Sequence, residues 1–243
     1  MAEGITELLR GELFLHGADM VGIGDLTELP PEVREGLPVG VCVAVKYPRE
    51  VIRGIGELPT EEYHNQYNYL NKRLDILAEV GAAILGAHGY RAVAQTRAYV
   101  NEFKLSLSGG EKDPSALLPH KTVATRAGLG WIGKCAMLVT EEFGSMIRIS
   151  SILTDAPLKT AKPVNRSKCG KCTECATHCP ARAVTGKSWS VGVKREEIFD
   201  AAACERTARE RSLKGFGKDI TICGKCIEVC PYTKMYLDAH DQM

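Results

Sequence analysis

Eight of the ten cysteines in this 243-residue chain follow a spacing that indicates iron–sulfur chemistry. One run reads Cys-x2-Cys-x2-Cys-x3-Cys-Pro, and a later run, Cys-x2-Cys-x3-Cys-Pro, is one cysteine shorter. In runs of the first kind, three cysteines ligate one [4Fe–4S] cluster and the fourth ligates a second cluster. Cys204 is the only nearby thiol that can complete the shorter set.

Crossed ligation divides these eight thiolates into two sets of four. The first cluster is predicted to bind Cys169, Cys172, Cys175 and Cys230. The second cluster is predicted to bind Cys179, Cys204, Cys223 and Cys226. Structural zinc is the alternative, because paired Cys-x2-Cys elements also form four-thiolate sites. The additional cysteine in each run and the Cys-Pro endings favour the clusters.

The composition is that of an ordinary globular chain, with 44% hydrophobic and 25% charged residues. No apolar run is long enough to span a bilayer, so no membrane partner is expected. The amino terminus lacks a basic region followed by a long apolar core, which predicts a cytoplasmic protein and disfavours a disulfide framework. A net charge of +1 supplies no global basic field for nucleic acid. A local basic patch is interpreted as a solvated helix face, with a docking surface as the alternative; it comprises Arg206, Arg209, Arg211, Lys214 and Lys218.

A composition shift between residues 156 and 168 predicts two domains, 1–160 and 161–243. In the first domain, periodicity predicts helices over residues 5–15, 61–87 and 118–127. Apolar runs predict strands over residues 20–23, 39–47, 91–95, 135–140 and 146–153. The expected fold class is therefore α+β, with an α/β layer domain before the cysteine-rich domain.

The segment Gly128-Leu-Gly130-Trp131-Ile-Gly133-Lys134, here called the glycine segment, matches the dinucleotide fingerprint G-x-G-x-x-G by letter. Asp155 follows at about the distance of the ribose-binding acid. The fingerprint requires a strand before the glycines and a helix after them, whereas this sequence predicts the reverse order. A dinucleotide site is therefore disfavoured, and the glycines are predicted to let the backbone approach another flat or phosphorylated ligand.

The sequences RAGLGWIGK and SILTDAPL, together with the cysteine order, resemble those of epoxyqueuosine reductases and, more distantly, of reductive dehalogenases. The resemblance implies a nitroreductase-like α+β domain that holds cobalamin, followed by a ferredoxin-like domain with two [4Fe–4S] clusters. One cluster would lie near the corrin, and the other would relay electrons from outside. The positions that cradle the corrinoid in that family match Gly128, Gly130, Trp131, Gly133, Lys134, Leu138, Val139 and Thr140.

The chain also departs from that family. The family's proton-donating acid aligns with Pro114, and Asp113 lies one residue away. We therefore take Asp113 and His120 as candidate catalytic acids, with a surface-loop aspartate and a helix-capping histidine as the alternatives. The segment between Asp25 and Val39 is shorter than its counterpart, and the carboxyl-terminal repeat helices of longer tRNA-acting members are absent, so the expected substrate need not be tRNA.

Two functions follow. The first is a reductase in which electrons pass through both clusters to cobalamin and drive reductive cleavage of a small or nucleoside substrate. The alternative is an electron-transfer protein that reduces a partner such as a corrinoid protein. The expected electron donor is a reduced ferredoxin or flavodoxin, and tRNA is not supported by the charge. A flavin in the first domain is a third possibility.

Cys135 and Cys42 are interpreted as small buried residues, although Cys135 could contact a cofactor.

Overall fold

The computed structural model describes residues 2–107 and 118–239 of the chain, and side chains within this range except those of residues 103–107. Asp113 lies outside the described residues. The helices are α1 (Ala2–Leu15), α2 (Arg49–Arg53), α3 (Glu61–Ala87), α4 (Arg97–Leu107), α5 (His120–Arg126), α6 (Glu174–Thr177), α7 (Arg195–Ile198), α8 (Ala201–Phe216), α9 (Lys225–Glu228) and α10 (Pro231–Ala239). The strands are β1 (Met20–Asp25), β2 (Val39–Lys46), β3 (Ala92–Ala94), β4 (Trp131–Ile132), β5 (Leu138–Val139) and β6 (Ile147–Thr154).

A four-stranded sheet has the order β1-β2-β6-β3. Strand β1 pairs antiparallel with β2 so that Met20 lies opposite Ala44, and β3 pairs antiparallel with β6 so that Ala92 lies opposite Thr154. Strand β2 lies between two neighbours, which explains why its apolar run is almost continuously buried. Cys42 of this strand is fully buried, as the sequence predicts, and burial raises the pKa of its thiol.

Helices α1 and α3 cover the sheet. Leu9 and Leu13 of α1 are fully buried. Gly81 of α3 allows a close approach, because a Cβ at this position would collide with the Ile152 side chain of β6 and lie 3.4 Å from Leu13 Cδ2. Helix α3 therefore packs closely against β6 at a glycine.

The chain forms two compact units that are discontinuous in sequence. The first comprises Met1–Val45, Leu70–Leu129 and Arg148–Val164, and it contains most of the four-stranded sheet. The second comprises Lys46–Tyr69, Gly130–Ile147 and Asn165–Met243, and it contains the seven cysteines of the two runs together with Cys204. The predicted division at residue 160 stays a prediction. It could not anticipate that residues 46–69 and 130–147 join the cysteine-rich unit, because that assignment depends on long-range contacts.

The second unit consists of short helices, turns and one small hairpin. In the hairpin, Trp131 of β4 lies opposite Val139 of β5. Ile132 belongs to a small apolar cluster with Ala136 and Ile198, against which Trp189 packs. The unit therefore contains a local apolar cluster of its own.

Helix α8 carries most of the predicted basic patch. It begins after Asp200, whose Oδ1 accepts a 2.9 Å hydrogen bond from the Ala203 amide, and it ends at Gly217 with φ 74°. Arg209 forms ion pairs with Glu205 and Asp219, with N–O distances of 3.9 and 3.5 Å. These acidic partners favour the solvated-helix interpretation of the patch.

Two elements differ from the sequence prediction. Helix α4 was not predicted, because its amphipathic pattern is short and continues toward a Gly/Ser-rich stretch. The strand predicted over residues 135–140 is reduced to Leu138–Val139, because Ala136 has a left-handed conformation with φ 59° and the chain turns there. No helix within the described residues is long and apolar enough to cross a membrane.

Candidate metal centres

Both cysteine runs begin with the same kind of turn. Gly170 follows Cys169 with φ 53°, and Gly224 follows Cys223 with φ 75°. A left-handed residue bends the chain sharply, so the next cysteine returns toward the first, and glycine adopts this conformation without strain. In the first turn, the Cys172 amide donates a 3.0 Å hydrogen bond to the Cys169 carbonyl. The Cys-Gly pairs thus form the two thiol-bearing loops.

The first cavity has a volume of about 320 Å³ and lies among thiols of both runs. The four cysteines predicted for the first cluster all line it. They are accompanied by Cys226 and Cys135, so six thiols surround one space; the six are Cys135, Cys169, Cys172, Cys175, Cys226 and Cys230. Burial raises the pKa of Cys230. The structure therefore brings together the four thiols predicted for the first cluster, and two further thiols line the same cavity.

The second cavity is smaller, about 40 Å³. All four cysteines predicted for the second cluster line it: Cys179, Cys204, Cys223 and Cys226. Burial raises the pKa of Cys204 to about 11, and the nearby Cys223 and Cys179 thiols contribute to the increase. Cys204 is therefore protonated at neutral pH without iron, and cluster binding would release this proton.

The donor set fits two iron–sulfur clusters. The four predicted thiols line each cavity, with Cys135 and Cys226 in addition at the first, and no described residue that lines either cavity is His, Asp or Glu. Soft thiolate donors of this kind suit [4Fe–4S] clusters. Cys226 lines both cavities, so the two sites are neighbours. Which thiolate ligates which cluster stays a prediction.

The predicted corrinoid residues form part of the protein interior. Gly128 is exposed, whereas the remaining residues of that set are buried; these are Gly130, Trp131, Gly133, Lys134, Leu138, Val139 and Thr140. A Cβ at Gly130 would collide with the Val139 carbonyl, and one at Gly133 would lie 2.8 Å from Val139 Cγ2. Gly128 has φ 72°, and a Cβ added at this position would lie 2.9 Å from the Lys162 carbonyl oxygen. The glycines therefore let the chain approach itself, whereas the sequence predicts approach to a ligand.

Trp131 is 1% exposed and its indole Nε1 donates a hydrogen bond to Cys169 Sγ over 3.4 Å. Its ring packs edge-on against Tyr232 with a centroid distance of 4.9 Å. The Lys168 ammonium lies 5.6 Å from the ring centroid. The side chain that the resemblance predicts to contact a corrin is thus engaged with a predicted cluster ligand.

Lys134 and Cys135 contact the same cysteine loop. The buried Lys134 ammonium donates a 2.8 Å hydrogen bond to the Cys172 carbonyl. The Cys135 thiol is hydrogen-bonded with the Cys175 and Cys226 thiols. The hydrogen bond with Cys135 raises the pKa of the Cys175 thiol, and burial of that thiol raises it further. Sequence reasoning missed these contacts, and the position of Cys135 directly after the glycine segment is the one signal that pointed to them.

Thr140 has a structural role in the turn that follows β5. Its hydroxyl accepts a 3.0 Å hydrogen bond from the Phe143 amide. In the same turn, Gly144 lies so close to Thr233 that a Cβ would collide with the Thr233 backbone, and the Ser145 amide donates to Thr233 Oγ1 over 3.1 Å. Thr233 lies three residues after Cys230, so these contacts fix the loop that carries the Cys230 thiol.

His120 is the candidate acid that the structure describes. It is the first residue of α5, is half-buried, and its Nδ1 lies 3.1 Å from Ser151 Oγ on β6. Asp155, the residue at the ribose-acid distance, accepts a 2.8 Å hydrogen bond from the Arg91 amide. Helix α5 precedes the glycines and β4 follows them, which confirms the order that disfavours a dinucleotide site.

Substituting Gly130 with alanine is expected to lower the free energy of unfolding by about 3 kcal/mol, because the new Cβ would push β4 away from β5. Gly86 provides the matched control, since it lies in α3 with open space around it. Gly86→Ala is expected to raise the free energy of unfolding by about 1 kcal/mol. Anaerobic denaturant titrations measure both changes, and unchanged stability in Gly130→Ala would contradict the close approach.

Comparisons with known proteins agree with the cysteine pattern. Residues 168–233 match a family model described as a 4Fe-4S double cluster binding domain. The epoxyqueuosine reductase of Escherichia coli K12 is 32% identical over 120 residues, which are 49% of this chain and 31% of the relative. That of Lactococcus garvieae is 29% identical over 175 residues, which are 72% of this chain and 42% of the relative. The matched part thus spans less than half of these relatives.

Solved structures have the same fold. The catabolic reductive dehalogenase NpRdhA, in complex with 3-bromo-4-hydroxybenzoic acid, matches with a TM-score of 0.71 at 20% identity, over 96% of this chain and 32% of that chain. An epoxyqueuosine reductase from Bacillus subtilis matches with a TM-score of 0.58 at 19% identity, over 95% of this chain and 66% of that chain. These structures confirm the predicted α+β fold, the family model confirms the double-cluster domain, and the sequence relatives confirm the predicted resemblance.

Proposed function

We propose that this chain is an iron–sulfur reductase that passes electrons through two [4Fe–4S] clusters to a cobalamin cofactor for the reductive cleavage of a substrate. The observation that carries the proposal is the arrangement of two sets of four thiols around two neighbouring cavities. Curated relatives named epoxyqueuosine reductase support the reductase activity.

The chain's own residues have three tasks in this activity. The all-thiolate cavities would hold the clusters, and Cys226, which lines both, keeps the two sites adjacent for electron transfer. Val184 and Phe199 give the second cavity an apolar wall beside its thiols. We propose that Asp113, or His120 as the second candidate, supplies the proton that reductive cleavage requires. The hydrogen bond between His120 Nδ1 and Ser151 would fix the orientation of that imidazole.

The cobalamin part of the proposal rests on the relatives. One solved structure of the same fold is that of a reductive dehalogenase with B12-dependent dehalogenation. A bound corrinoid would supply the low-potential reduction of the substrate. Apart from Gly128 and Leu129 the glycine segment is buried, and its Gly133 and Lys134 line the first cavity, so we assign no corrin contact to its residues and derive no step from them.

The same burial favours a second candidate function. If no corrinoid binds to this chain, the clusters would instead reduce a partner such as a corrinoid protein. Both candidates require an electron donor of the reduced ferredoxin or flavodoxin type. A small-molecule or nucleoside substrate is proposed for the reductase, and the paired charges on α8 give no support for tRNA.

Anaerobically reconstituted protein is expected to contain about eight irons and eight acid-labile sulfides per chain. Visible spectra of this protein, recorded with increasing cobalamin, separate the two candidates. A cobalt spectrum that shifts with a micromolar dissociation constant supports the reductase. Unchanged cobalamin spectra, combined with electron transfer to an added corrinoid protein, support the second function. Stoichiometric zinc without sulfide would overturn both.

A further inference from the structure

We propose that the indole N–H of Trp131 sets the reduction potential of the first cluster through its hydrogen bond to Cys169 Sγ. This inference rests on the proposed function, because it requires a cluster at the first cavity. It assigns to Trp131 a role as a positioning residue for electron transfer.

The direction of the effect follows from electrostatics. Reduction adds one negative charge to the cluster and its thiolates, and a donor on a ligand sulfur stabilises the more negative state. The 3.4 Å distance between Nε1 and Sγ lies within the range for hydrogen bonds to sulfur. Because the indole is 1% exposed, water does not weaken this interaction. Trp131 is therefore expected to raise the potential.

The surrounding structure keeps the indole in place. Trp131 pairs with Val139 in the hairpin, and Gly130 permits the two strands to approach. The edge-on contact with Tyr232 also restricts the Trp131 ring. Tyr232 is the second residue after Cys230, so the indole is held between the two cysteine runs.

Lys134 acts in the same direction. Its ammonium is buried and donates to the Cys172 carbonyl, which places a positive charge beside the same thiol loop. Positive charge near a cluster also favours the reduced state. The glycine segment thus presents an N–H donor and a cation to the first cluster. A raised potential there would favour electron transfer from the second cluster to the first.

The chain offers a matched pair of variants, because it contains two tryptophans. Trp131→Phe removes the donor and keeps an aromatic ring. Trp189→Phe is the control, since Trp189 packs against Ile132, Ala136 and Ile198. The potential of the first cluster is measured by a redox titration of each iron-loaded protein, monitored by electron paramagnetic resonance. The signal of the first cluster is the one that Cys172→Ala removes.

Trp131→Phe is expected to lower the equilibrium constant for reduction of the first cluster about tenfold, a shift of about 59 mV toward negative potential for one electron. The second cluster and the Trp189→Phe protein should titrate as the wild type does. Full iron content with an unchanged potential would overturn the inference and leave the proposed function intact. Absence of clusters from the wild-type protein would overturn the proposed function itself.

A second measurement covers the case in which Trp131→Phe does not retain iron. Trp189→Phe protein prepared with indole-¹⁵N tryptophan carries the label at Trp131 alone. Pulsed electron paramagnetic resonance of its reduced first cluster is expected to detect a ¹⁵N coupling, because the nitrogen lies next to a ligand sulfur. No ¹⁵N coupling would overturn the inference.

Discussion

Replacing Cys204 by alanine is expected to reduce the iron content from about eight to about four per chain and to abolish electron transfer through the second cluster. Cys204 is the thiol that completes the shorter run, and it lines the second cavity with Cys179, Cys223 and Cys226. Without Cys204 the second cluster loses one of its four predicted thiolate ligands, which is expected to weaken its binding. Iron and sulfide analysis, together with electron paramagnetic resonance of the reduced protein, measures the loss.

Two further variants make this prediction sharper. Crossed ligation predicts that Cys179→Ala removes the same signal as Cys204→Ala, although Cys179 belongs to the first run. If Cys179→Ala instead resembles Cys169→Ala, the crossed assignment is wrong. Cys135→Ala is the matched control, because Cys135 lines the first cavity as a ninth thiol beyond the two predicted sets. It is expected to keep about eight irons.

Removing the proton donor is expected to slow substrate turnover about a hundredfold, while reduction of the clusters stays normal. Asp113→Asn is the first variant to test, and His120→Ala is the second. The physical reason is that bond cleavage requires a proton as the electrons arrive, so the loss affects the chemical step alone. Single-turnover reduction of the proposed small-molecule or nucleoside substrate by pre-reduced, cofactor-loaded protein measures the rate.

Glu111→Gln is the control for this experiment, because it removes a neighbouring acid without changing either candidate donor. Its rate should match the wild type. Equal, undiminished rates for Asp113→Asn and His120→Ala would exclude this segment as the source of the proton. A loss in His120→Ala alone would assign the role to the imidazole that faces Ser151.

Much of the fold could be predicted because its signals are local. The helix predicted over residues 61–87 matches the observed bounds of α3, Glu61–Ala87, and the apolar run of β2 matches Val39–Lys46. Each pattern reports the period of one element. The hairpin of β4 and β5 could not be predicted in the same way. Its two-residue strands depend on a turn at Ala136 and on the Gly130–Val139 contact, neither of which has a periodic signal.

The sequence by itself determined the chemistry of the metal centres, since cysteine spacing within a run is a local property and turns of two or three residues bring the thiols of one run together. It did not determine the surroundings of those thiols. Only the tertiary structure placed Trp131 on Cys169 and Cys135 between Cys175 and Cys226. The glycine segment precedes the first run by more than thirty residues, so its contacts depend on how distant parts of the chain pack. For this reason, the glycine segment predicts a ligand-binding loop when it is read as sequence, whereas in the folded protein it contacts the loop that carries Cys169 and Cys172.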